Sequence, residues 1–94
     1  MKYIVIGVFD ALLEAAMPVQ CIQPMTDEDI IESHRRAVKL GKIPAEMAVN
    51  YVLFKYGEFD DKTGEFDLLD KPLKLVALAD FVPKKVEATK NDSN

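Results

Sequence analysis

Apolar and polar positions along this chain fall into runs that separate strand from helix. Lys2 to Phe9 is nearly continuous in β-branched and aromatic residues and predicts a central strand buried on both faces, ended by Asp10. Ala11 to Met17 is apolar but short for an independent helix. It predicts one or two helical turns, or a structured loop, leading to Pro18. Val19 to Ile22 reads as a short second strand closed by Pro24. Thr26 then opens the clearest helix, Asp27 to Leu40. Thr is a good N-cap, three acidic residues fill the first turn, and Arg35, Arg36 and Lys39 lie toward the end, before Gly41. Its inward stripe is Ile30, Ile31, His34, Ala37 and Val38. Pro44 limits any extension, leaving one turn at Ala45–Val49.

The stretch from Tyr51 to Asp70 organises the rest. Val52, Phe54 and Tyr56 alternate with Leu53 and Lys55, and Phe66, Leu68 and Leu69 resume after the polar turn Asp60 to Gly64. This is a β-hairpin pattern, with Gly64 supplying the positive φ of the turn and Gly57 marking a bulge or close backbone approach. Phe54 and Phe66 are expected to bury most of their side chains. Pro72 should close the hairpin, and Leu73 to Val82 should add one more strand, or a strand and a short turn at Ala79-Asp80. The pattern predicts an α+β fold: a small antiparallel sheet of three to five strands, with a prominent β-hairpin, packed against one main helix. Residues 1–83 form the single domain, and 84–94 form a polar, flexible tail.

Composition narrows the class. Ninety-four residues, 49% apolar and 30% charged, suit one domain with a modest core that self-association would help. The formal charge of −4 argues against coating nucleic acid through bulk charge, but leaves room for a local basic surface. A single cysteine, Cys21, excludes an internal disulfide and fits a reducing compartment. In the run Val19 to Ile22 it reads as a small core residue. No apolar stretch is long enough to span a membrane, and Asp10 and Glu14 interrupt the first apolar run too early for a signal peptide.

Candidate chemistry is sparse. His34 is the only histidine, which leaves little for a metal cluster or a catalytic triad, and it reads as a boundary residue of the helix. Asp60 to Gly64 loosely matches a calcium loop. Lys62 stands where a ligand should be, and no Glu occupies the twelfth position. No Gly-rich phosphate loop, zinc spacing or nucleophile elbow is present, so the chain is expected to be no enzyme and to need no metal or cofactor. Arg35, Arg36, Lys39 and Lys42 make the best phosphate-contact candidate, against the simpler reading of a solvated helix end that satisfies its own dipole. Lys84 and Lys85 come next.

The run from Ile43 to Leu75, with Gly57-Glu58-Phe59-Asp60-Asp61-Lys62-Thr63-Gly64 at its centre, resembles the small non-structural protein of gokushoviruses, single-stranded DNA phages of the Microviridae. The opening from Lys2 to Gln20 is similar too, and the likeness covers roughly residues 1–82. It departs in the helix, where Asp29 to Arg36 lacks the Arg-x-Phe that relatives often carry. The resemblance implies a phage accessory protein of the host bacterial cytoplasm, absent from the capsid. It would bind single-stranded DNA or act with phage or host replication and packaging proteins; a homo-oligomer is expected separately, from the small, half-apolar domain and its sheet edges. A protein-interaction module without nucleic-acid contact is the competing class, and the negative charge favours it.

Overall fold

A computed structural model of the chain describes residues 1–83 and shows a curled antiparallel sheet with one main helix. The order is β1 (Lys2–Asp10), β2 (Ala15–Ala16), β3 (Gln20–Ile22), α1 (Asp27–Lys39), α2 (Ala45–Ala48), β4 (Tyr51–Asp60), β5 (Glu65–Ala77) and a 3₁₀ turn (Leu78–Phe81). β1 is central: β2 and β3 share one of its edges, β4 lies on the other, and β5 pairs with β4. The expected last strand after Pro72 is therefore the second half of β5.

The pleat divides the sheet into two unlike faces. Ile4, Ile6 and Leu53 point toward α1 and pack with Ile30, with Val8, Ile22, Leu75 and Val76 around them. Val38, Ala48 and Leu78 continue this core toward the end of α1. Thr26 Oγ1 accepts the Asp29 N–H at 3.1 Å, which caps α1. On the same side, the Lys55 ammonium reaches the Asp27 carboxylate at 3.3 Å.

Several expectations are corrected. Of the two readings of Ala11 to Met17, the helical one fails and the structured loop holds: it is a tight turn followed by β2, because the Asp10 carboxylate accepts the N–H groups of Leu12 and Leu13 and turns the chain back. Cys21 is exposed rather than in the core, since β3 is an edge strand and the pleat sends Ile22 inward in its place. Pro72 does not end the hairpin. Four residues of β5, Leu69 to Pro72, stand opposite Tyr56 alone, between the pairs Lys55–Leu73 and Gly57–Leu68. In such a bulge the missing proline N–H removes no ladder bond.

The burial expected for the hairpin phenylalanines is overturned for Phe66, which is 56% exposed; Phe54 is mostly covered, and Leu53 is the hairpin side chain that is fully buried. The register decides this. Leu53 pairs with Val8 and Val76 on the helix side, which turns Val52 and Phe54 to the opposite face. The predicted tail, 84–94, lies outside the described residues.

Candidate functional site

The face away from α1 collects six of the eight Phe and Tyr residues: Tyr3, Phe9, Phe54, Tyr56, Phe59 and Phe66. None of these rings belongs to either buried cluster under the helix. Three form a ladder across β1, β4 and β5. Tyr3 and Phe59 have ring centroids 6.5 Å apart, and Phe59 and Phe66 are 4.8 Å apart, tilted at 47°. Such pairs stabilise a hairpin locally.

Nearer the start of β4, Phe9, Phe54, Tyr56 and Pro72 wall an open, apolar hollow of about 250 Å³. The Tyr56 ring crosses β1 at Gly7, 2.8 Å from where a side chain there would begin. A cavity of about 150 Å³ already accepts benzene, so this hollow has room for a planar aromatic ring. Lys74 pairs directly with Phe54, which sets one cation beside the hollow on the β5 side, and Lys71 precedes Pro72 in the adjoining bulge.

The opposite face of the same hairpin end is acidic. Glu58 pairs with Asp67 and Asp60 with Glu65, side by side, with Lys2 opposite Asp60. These carboxylates form no group able to hold a metal ion among the described residues. The turn is organised by its backbone instead: Asp60 Oδ1 accepts the Lys62 N–H at 2.9 Å, and the Asp60 carbonyl accepts the Gly64 N–H at 2.7 Å.

Arg35, Arg36, Lys39 and Lys42 are all exposed, on or just beyond the last turns of α1, and so on the helix side of the sheet. Arg35 is engaged with Glu32 one turn back, at 2.8 Å. Arg36 and Lys39 sit where the helix dipole favours cations. The structure therefore separates this cluster from the aromatic face. Lys84 and Lys85 lie outside the described residues. His34 is half-buried, and its Nδ1 contacts the Ile30 carbonyl at 2.8 Å.

Sequence reasoning missed the aromatic face because it assigned those rings to the core. The available signal was parity: Tyr3 and Phe9 both occupy odd positions of β1, opposite the even-numbered Ile4, Ile6 and Val8. No helix among the described residues is long and apolar enough to cross a membrane.

Comparison with known proteins finds a family model, described as Phage ORF5 protein, that matches residues 3–81. No curated protein matches the chain. No solved structure matches it either.

Proposed function

From the premise that the chain belongs to the Phage ORF5 protein family, and is thus a phage protein, we propose that it binds single-stranded DNA on the aromatic face of its sheet. The observation that carries this reading is the placement of six rings on the face that α1 leaves uncovered. Bases of a single strand present free π-faces that stack on aromatic side chains, at about 1–3 kcal/mol per base. A duplex keeps those faces inside its own stack, so single strands are the better ligand. The carboxylates around the hairpin turn repel phosphate from the other face, and Lys74 offers charge beside the hollow. In this reading the protein is a gokushovirus non-structural accessory protein. It works without catalysis in the cytoplasm of the infected bacterium, on the viral genome during its synthesis or packaging.

The test is titration with oligothymidine at low salt, followed by tyrosine fluorescence, since the chain has three tyrosines and no tryptophan. Phe59→Ala and Phe66→Ala should each weaken binding by about 5- to 150-fold, the equivalent of one lost stacking contact. Both variants should remain folded under the assay conditions, with Phe66→Ala melting within about 8 °C of the wild type. Replacing both Arg35 and Arg36 with Ala reports on the helix: if both touch phosphate, the logarithmic salt slope flattens by about 1.4. An unchanged slope assigns the phosphate contacts to the β5 side. A wild-type protein that retains no single-stranded DNA at low salt defeats the proposal. It would leave the interaction module, which the net charge of −4 favours, as the better reading.

A further inference from the structure

The turn between β1 and β2 displays two adjacent leucines, Leu12 and Leu13, each 71% exposed. Turn tips ordinarily carry Gly, Asn, Asp or Ser. This one is nonetheless rigidly held. Asp10 Oδ1 accepts the Leu12 and Leu13 N–H groups at 2.9 and 3.2 Å, and the Ala11 N–H donates to the Asn50 carbonyl at 2.7 Å. Glu14 takes a left-handed φ of +52°, a strained conformation for a residue with a Cβ. Pinned in this way, the turn cannot fold back to cover its own leucines. Their ordering cost is met before any partner arrives.

The same end of the molecule holds an apolar cleft of about 240 Å³ between the sheet and α1, lined by Val8, Met17, Ile43, Tyr51, Leu53 and Leu78. It is larger than the roughly 150 Å³ needed to take a benzene ring, so a leucine side chain fits. Met17 follows β2 directly and hydrogen-bonds Val8, so finger and cleft are neighbours. Their charges are complementary. The finger carries Glu14, and the cleft wall at Ile43 is preceded by Lys42. Neither charge has an ion-pair partner among the described residues.

We infer that two copies of this chain form a twofold dimer in which the Leu12–Leu13 turn of each enters the other's cleft, with Glu14 facing Lys42 of the second copy. A twofold axis beside Met17 makes the exchange reciprocal, as a closed interface requires. This inference is independent of DNA binding.

Light scattering with size exclusion at tens of micromolar should give twice the chain mass of 10.6 kDa. Leu12→Ser with Leu13→Ser should raise the dissociation constant by about tenfold or more, the loss expected of a buried anchor, with the melting of the monomer unchanged because both sites are exposed. Glu14→Lys and Lys42→Glu should each weaken the dimer, and the two together should restore it. A monomeric wild type overturns the inference, including one that sediments with phosphatidylcholine vesicles, which would assign the leucines to a membrane. So does a dimer that survives the double serine change, or charge reversals that the double variant fails to rescue.

Discussion

Leu53→Ala is expected to lower the free energy of unfolding by about 2–5 kcal/mol, the range for deleting a fully buried leucine. Phe66→Ala, although it removes a larger side chain from the same hairpin, should cost only about 1 kcal/mol, the worth of one aromatic pair. The difference follows from where the pleat sends each residue. Leu53 is completely buried among Ile4, Ile6 and Ile30, and the helix above it is anchored at its own end by Thr26, so the site cannot collapse readily. Phe66 leans on Phe59 at 4.8 Å and otherwise faces solvent. A domain of this size holds about 5–15 kcal/mol in total, so losing Leu53 removes a large share of it. In thermal melts 1 kcal/mol corresponds to about 4–8 °C for a chain of this length. Leu53→Ala should therefore melt at least about 8 °C below the wild type, and Phe66→Ala within that margin. Equal losses for the two variants would contradict the assignment of the helix-covered face as the core.

The same contrast explains what the sequence could disclose. Element types were legible where one local cause dominates. Thr26 with the acids after it fixes the start of α1, the β-branched run fixes β1, and Asp60 with Gly64 fixes a turn. The inner face was not legible, because both faces of β4 look apolar. Val52, Phe54 and Tyr56 outweigh Leu53 and Lys55 in hydrophobicity, and only the position of α1 reveals that the smaller set is the buried one. Lys55 lies inward because Asp27 of α1 meets it, a contact across 28 positions that no local pattern encodes. Pro72 misled for a related reason: proline ends a strand whose N–H is needed, and here a four-residue bulge removes the need. The candidate site suffered most. The basic end of α1 stood out in sequence, while the aromatic face emerges only when three strands are laid side by side.

Gly57→Ala is expected to destabilise the protein by about 3 kcal/mol or more, from backbone strain of about 1–3 kcal/mol and overpacking of about 1–3 kcal/mol acting together. Gly57 sits at φ +152°, between Val5 of β1 and Leu68 of β5, and both ladders change register next to it. A methyl group there would lie 2.3 Å from the Asp67 carbonyl oxygen and 2.7 Å from the Leu68 Cα. Both are backbone atoms, so relief requires β5 to move away from β4. Gly64 is the control. Its φ of +75° is also left-handed, but nothing lies within 4 Å of the added methyl, so Gly64→Ala should cost only the conformational term of about 1–2 kcal/mol. Urea denaturation separates the two, with a lower midpoint and an unchanged slope marking a true loss of stability. The displacement of β5 has a second consequence. Phe66 and Leu68 lie on the strand that must shift, so the Phe59–Phe66 pair opens and Gly57→Ala should weaken single-stranded DNA binding as well, whereas Gly64→Ala should leave it intact. If Gly57→Ala loses no more stability than Gly64→Ala, β4 and β5 are not in close backbone contact at this point, and the ladder does not depend on it.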